Sequence, residues 1–346
     1  MDLSDRAEPE HDHPGASASA SEQPATVVAV VGPTAVGKSD LALDLATAFG
    51  GPDEAEILNA DAYQLYRGMD IGTAKVPVAE RRGIVHHQLD VLDVTADASV
   101  ARFQAEARAD VARVLASGKR VVVVGGSGLY VRALLDEMDF PGTDPDVRAR
   151  WEERGEREGA RPLHDELARL DPQAAAAIEP RNLRRIVRAL EVIELTGRPY
   201  SATLPRQEYV RPAVQIGLDA DRGELDARVA SRVERMWDEG LVAEVAALAG
   251  PGLGGLGRTA ERAVGYAQVL AALRGEISQE QAKDDVVAAT RRLARKQMGW
   301  FGRDPRVHWL QAGSRDVVAR AMELVALADA GRLRPEDGPT RRSLGS

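Results

Sequence analysis

The sequence predicts an α/β protein: a parallel sheet flanked by helices, interrupted by one all-helical insertion. Three observations predict it. Val27 to Val31 and Val121 to Val124 are unbroken apolar runs, each entering glycines and then a helical pattern. Fully apolar strands that alternate with helices belong to sheets buried on both faces. From about Asp139 to Arg211, by contrast, only helical segments are found.

Taken in order, residues 1–23 carry six acids against one arginine and run into "HPGASASASEQP", so they read as a disordered acidic tail. The core, expected over 24–140 and 212–330, begins with the strand at Val27, a glycine loop and the helix "SDLALDLATAF". "AEILNADAYQLY" places a second strand just ahead of Asp61, and a helix over 99–117 leads into "KRVVVVGGSGLYVRALL". "DVRARWEERGEREG", "PLHDELARL" and "RNLRRIVRALEVIELTG" fill the insertion, 141–211. The strand "AVQIGLDA" returns the chain to the sheet; amphipathic helices, the loop "AGPGLGGLG", a short "RVHWL" strand, a last helix and a polar tail, 331–346, complete it. Ligands of such sheets bind beyond the carboxyl ends of the strands, where loop 32–39, Asp61 and Ser127 are all expected to converge.

At 346 residues and 44% hydrophobic, the chain can bury a sizeable core. Its apolar runs fall far short of the ~20 residues a membrane helix needs, and its N-terminus is acidic rather than a basic leader, so we expect a cytoplasmic protein with no membrane partner. The absence of cysteine excludes a disulfide framework, a thiol nucleophile and a cysteine-bound zinc; any metal must bind oxygen or histidine. A net charge of -9 argues weakly against nucleic acid, but electrostatic footprints are local. Residues 181–211 carry seven arginines against three acids, and residues 290–306 six Lys/Arg against one acid.

Gly32-Pro33-Thr34-Ala35-Val36-Gly37-Lys38-Ser39 matches G-x-x-x-x-G-K-[ST], after a strand and before a helix, which makes the predicted sheet P-loop NTPase-like. Glycines let backbone amides turn onto phosphate oxygens, the helix N-terminus favours the anion, Lys38 neutralises charge, and Ser39 can ligate Mg²⁺. The plain alternative is a glycine turn with a surface lysine. A hydrolase or kinase with this loop places an aspartate after another apolar strand. Here Val121–Val124 ends in Gly125-Gly126-Ser127, and the carboxylate stands elsewhere, at Asp61.

With that loop, "NADAYQLYRGMDIGTAK", "GGSGLY", "NLRRIVRALEV", "RAVGYAQ" and "TRRLARKQMGWF" in the same order, the chain resembles the bacterial tRNA dimethylallyltransferases, also called tRNA isopentenyltransferases, from about Thr26 to Gln311. The resemblance implies transfer of a prenyl group from dimethylallyl diphosphate to N6 of the adenosine at position 37, just 3′ of the anticodon, in tRNAs reading UNN codons. It makes Asp61 the general base and matches Arg232, in "LDARVASRVERM", to a diphosphate-binding arginine; Arg228 stands one turn away on the same helical face. Lys38, Thr34, the loop amides and Mg²⁺ near Ser39 would stabilise the departing diphosphate. Ser127 replaces the family's usual threonine and keeps the hydroxyl. The tRNA anticodon stem-loop is expected to meet Asp61, Ala62, Tyr63, Gln64, Ser127, Arg148, Arg184, Arg185, Arg188, Arg262, Gly265, Tyr266, Gln268, Arg291 and Arg295.

Each residue also has an ordinary reading. Asp61 can cap the helix after it, Arg232 can be a surface residue, Tyr63 and Tyr66 can be core, and Trp300 and Phe301 can be buried anchors on a basic helix. His86-His87, with no cluster of carboxylates nearby in sequence, reads as structural rather than as a metal site. Two other functions use the same loop: a small-molecule or nucleotide kinase, and a nucleotide-gated RNA-binding module. A tRNA-sized substrate can be served by a monomer, which is the expected state.

Overall fold

The computed structural model describes residues 25–203 and 207–334; the acidic tail, and the polar tail beyond residue 334, lie outside them. The chain opens with β1 (Val27–Val31), α1 (Lys38–Ala48), β2 (Ala55–Asn59), β3 (His86–His87), α2 (Val100–Ala116), β4 (Arg120–Gly125) and α3 (Gly128–Leu135). Four helices follow without a strand: α4 (Pro145–Glu158), α5 (Ala160–Leu170), α6 (Pro172–Ala177) and α7 (Leu183–Thr196). The chain then re-enters the sheet at β5 (Ala213–Asp219), followed by α8 (Arg222–Asp238), α9 (Leu241–Ala249), α10 (Arg258–Glu261), α11 (Tyr266–Leu273), α12 (Gln279–Phe301), β6 (Val307–Gln311) and α13 (Val317–Asp329).

The six strands form one parallel sheet in the order β3-β2-β4-β1-β5-β6. β1 lies between β4 and β5, so all five of its residues are fully buried. That burial is why the run is valine with one alanine: β-branched side chains fit a pleated surface covered on both faces. One face packs on α2, α3 and α11 through Phe103, Val111, Val131 and Val269; the other packs on α1, α8 and α13 through Leu41, Leu45, Val229 and Val325. The edge strand β3 is the element the sequence pattern does not reveal, because two histidines carry no apolar alternation. Its side chains pair locally: His86 Nδ1 lies 2.9 Å from the Ile84 carbonyl, and His87 Nε2 lies 2.6 Å from Glu56 Oε2.

Helices α4 to α7 have a core of their own, built on Leu163, Leu167, Ile186, Val187 and Leu190. The chain leaves and re-enters through two antiparallel segments: Glu137 N–H donates to the Glu208 carbonyl, and Val210 N–H to the Leu135 carbonyl. The buried Asp136 beside this neck accepts two bonds from Arg306, at 2.7 and 2.9 Å, and the same guanidinium pairs with Asp304 and lies over the Tyr209 ring. Burial of that clamp is tolerable because both carboxylates are paired.

Candidate active site

The loop between β1 and α1 is shaped by its glycines. Gly32 has φ 140°, and a Cβ there would stand 2.7 Å from the Leu218 carbonyl oxygen. Gly37 caps α1 at φ 100°, and Ala35, with φ 64°, holds a left-handed conformation that an L-residue adopts only at a cost. The loop therefore curls over the N-terminus of α1, where the helix dipole favours an anion. Lys38 Nζ donates to the Pro33 carbonyl at 2.7 Å, along the inside of the curl. Burial lowers the Lys38 pKa to about 8, against the opposing pull of Asp61 and with a further push from Arg232.

Asp61 lies within the electrostatic reach of Lys38 that convergence at the strand ends required. Burial raises its pKa above the ordinary carboxylate value, and the Tyr63 N–H, Lys38 and the Gln64 N–H oppose the rise in that order. Its Oδ1 accepts the Tyr63 N–H at 3.0 Å. Asp61 thus caps a turn; the helix expected after it is not there. The Asp61 peptide is held by Asn59, whose Oδ1 accepts the Asp61 N–H at 3.0 Å and whose Nδ2 donates to the Asp61 and Gln88 backbone carbonyls. Ser127 Oγ accepts the Ala62 N–H at 3.2 Å, tying the turn after β4 to the turn after β2.

A cavity of about 450 Å³ opens beside the loop, lined by Ala35, Gly37, Asp40, Arg228, Ser231 and Arg232 among others. α8 thus delivers Arg232 to the phosphate loop; its guanidinium is desolvated and faces the like charge of Arg235, with Asp40 opposite. Arg228 reaches the same cavity but is more exposed and has Glu224 at 3.7 Å. Ser39 follows Lys38 in the first turn of α1, partly exposed. Among the described residues no three His, Asp or Glu side chains are grouped to hold a metal ion. A cation here would share Ser39 with phosphate oxygens, the donor set that suits Mg²⁺.

The segment after Asp61 is fixed from a distance. Gln64 Nε2 donates to the Thr73 carbonyl, and the buried Lys75 bridges Asp70 and Asp90 at 2.6 Å each while donating to the Tyr66 carbonyl. Glu244 of α9 accepts the Asp70, Ile71 and Gly72 amides. Tyr66 is core, its hydroxyl between Ala96 and Ala98. Tyr63 keeps partial exposure, and the Asp61 and Arg262 charges both reach it.

The basic residues separate into free and engaged groups. Arg184 and Arg185 are exposed at the first turn of α7, and Arg295 on α12 is exposed, as are Arg292 and Lys296, which the sequence reading passed over. Arg188 is engaged: it donates to the Pro141 and Gly142 carbonyls and to Glu191, a fully buried carboxylate that Arg148 also faces at 3.6 Å. Arg291 turns to Asp226 of α8. Gln268 caps the buried Gly265 N–H. Tyr266 corrects the expectation of a tRNA-facing side chain, because it is fully buried with its hydroxyl on Glu244. Of this segment Arg262 is exposed. Phe301 is core, and Trp300 packs on Gly128 under Arg132, whose guanidinium lies 5.6 Å from the ring.

Asn59, Lys75, Glu244 and Gln297 are the site-building residues that sequence reasoning missed. Asn59, Lys75 and Gln297 stood inside quoted motifs, but nothing local to them marked these side chains as the supports, and Glu244 carried no signal at all.

Residues 64–304 match the model of the IPP transferase family. A tRNA dimethylallyltransferase of Thermobifida fusca is 60% identical over 303 residues, covering 87% of this chain and 94% of that protein. One from Streptomyces coelicolor is 57% identical, covering 87% and 94%. Among solved structures, the tRNA isopentenylpyrophosphate transferase of Bacillus halodurans superposes with a TM-score of 0.64 at 36% identity, covering 89% of this chain and 96% of that one. A eukaryotic dimethylallyltransferase, at 24% identity, shares the fold with a TM-score of 0.76, covering 90% and 81%. On the family match and these identities, the chain belongs to the IPP transferase family.

Proposed function

We propose that this prenyltransferase moves a dimethylallyl group from dimethylallyl diphosphate to N6 of adenosine 37 in tRNAs reading UNN codons, releasing diphosphate. The observation that supports the reading is that Asp61, just after β2, and Lys38, in the loop after β1, lie at the same carboxyl end of the sheet on either side of β4 and within electrostatic reach, while β4, which would carry an NTPase aspartate, ends in Gly125-Gly126-Ser127. The adenine amine attacks C1 of the prenyl chain, the C1–O bond breaks, and its electron pair leaves on the diphosphate. The N6 proton passes to Asp61, whose burial makes it a stronger base than an exposed aspartate.

The loop amides, Lys38, Thr34 and Arg232 meet the charge that grows on the leaving group, where desolvated donors act strongly. When bound, Mg²⁺ would neutralise part of that charge, held by Ser39 and the diphosphate itself. The acceptor base has to leave its stack to reach Asp61. Ala62, Tyr63, Gln64 and Ser127 stand where it would enter, with Arg184, Arg185, Arg262 and Arg295 as the cationic surface for the stem-loop. Arg148, Arg188 and Arg291 support that surface from their carboxylate partners.

The test is incubation of purified protein with labelled dimethylallyl diphosphate, Mg²⁺ and an unmodified anticodon stem-loop. Label should enter the RNA at adenosine 37. Label that stays out of the RNA, with ATP consumed instead, would establish the kinase.

A further inference from the structure

Gln297 is 8% exposed on α12, and its Oε1 accepts the Thr34 N–H at 2.8 Å. Its amide nitrogen lies only 2.4 Å from where a Cβ on Gly126 would stand, and the Gly32 carbonyl oxygen is 3.5 Å from that point. The carboxamide is therefore wedged between the start of the phosphate loop and the turn that carries Ser127. One helical turn onward, Trp300 presses on Gly128, within 2.0 Å of a Cβ built there. Ser127 in turn holds the Ala62 amide beside Asp61. A single helix thus touches the donor loop and the acceptor turn together, while Arg292, Arg295 and Lys296 face solvent from its other side.

The choice of glutamine has a physical reason. The Thr34 N–H needs an acceptor, which excludes lysine and arginine, and a carboxylate would set negative charge beside a departing diphosphate. The Thr34 amide is also spent on this side chain, which leaves the later loop amides for phosphate.

We propose that Gln297 is a positioning residue that sets the separation between the diphosphate loop and the Ser127–Asp61 turn, so that the prenyl carbon and the adenine nitrogen meet at reacting distance. The inference rests on the reading that the loop holds the prenyl diphosphate. Gln297→Met keeps length and bulk but removes the acceptor, whereas Gln297→Glu keeps an acceptor and adds charge.

For Gln297→Met, kcat should fall ~10²-fold, the cost of a small misplacement of reacting groups. The Kd of inorganic diphosphate and the KM for tRNA should stay within about threefold, and the melting temperature should fall by no more than about 5 °C, the effect of the one stranded Thr34 N–H in a chain of this length, so the protein stays folded in the assay. For Gln297→Glu, which keeps the acceptor and so the spacing, kcat should fall less than for Gln297→Met, by about tenfold, while KM for dimethylallyl diphosphate rises, since the added carboxylate repels the donor and its departing diphosphate. The inference is overturned if Gln297→Met keeps kcat within about threefold of wild type, if its loss is matched by lost tRNA affinity or by unfolding at the assay temperature, or if the kcat of Gln297→Glu falls as far. Wild-type enzyme in the same assay separates the two claims: no prenyl transfer there overturns the reading of the loop itself, and wild-type transfer with an unaffected Gln297→Met overturns only the role of Gln297.

Discussion

On the proposed reading, the donor half of the cleft is built from eight consecutive residues, 32–39, joined by Arg232 from α8 and braced by Gln297 from α12. The acceptor half, around Asp61, depends on Asn59, Gln88, Ser127, Lys75 and Glu244, which come from five separate places in the chain. The difference teaches where function can be perturbed. A local phosphate cradle is lost by changing its own residues, whereas the base can be displaced by a change far away in sequence.

The largest effect expected on the donor side is that of Lys38→Ala. Removing a desolvated cation from the leaving group should cost ~10²–10³ in kcat/KM without a change in tRNA affinity. A loss under tenfold would show that the cradle's amides and Arg232 suffice. On the acceptor side, Asn59→Ala removes both bonds that hold the Asp61 peptide, so kcat should fall on the order of tenfold and stability by about 1–3 kcal/mol, read by urea unfolding. If kcat were unchanged, the acceptor half would be as self-sufficient as the donor half.

A smaller contrast separates the two arginine groups on α7. Arg184→Ala with Arg185→Ala should leave folding intact and lower the magnitude of the slope of log affinity against log salt by ~1.5–2. Arg188→Ala should act through stability, since it leaves the buried Glu191 carboxylate with only the more distant Arg148 as a cationic partner. Equal salt slopes in the two variants would erase the distinction between free and engaged cations.

The smallest signal is in pH. With the Lys38 pKa lowered to about 8, kcat/KM should decline as pH rises through about 8, because the lysine loses its proton before the donor binds. In kcat the decline should move to higher pH, since bound diphosphate restores the charged form. The acid limb, where Asp61 gains a proton, should lie above the ordinary carboxylate range. An alkaline limb that stayed at free-lysine pH would remove Lys38 from its desolvated place.

The same comparison explains what the sequence revealed. β1, the loop and α1 were legible because an apolar run marks a strand covered on both faces and the loop's positive φ values fall largely on its own glycines, although β1 takes its hydrogen bonds from β4 and β5. Asp61 was legible by its place after a strand. Tyr266 was not: its tRNA role was inferred from a motif, while its burial follows from Glu244, a partner on another helix. The carboxylate that Arg188 and Arg148 share was not legible either, since helical periodicity places Arg188 off the apolar stripe but says nothing of the buried Glu191. Gln297 sat inside a quoted motif, yet only tertiary contact shows its side chain reaching Thr34.

The central claim is that the diphosphate cradle and the Asp61 carboxylate act on one reacting bond from opposite sides. Single-turnover transfer by Asp61→Asn, with tRNA and dimethylallyl diphosphate already bound, tests it most directly, because the amide keeps the shape and cannot take the N6 proton. The account predicts a rate ~10²–10⁴-fold below wild type with both affinities within a few-fold. Transfer within tenfold of wild type would contradict it.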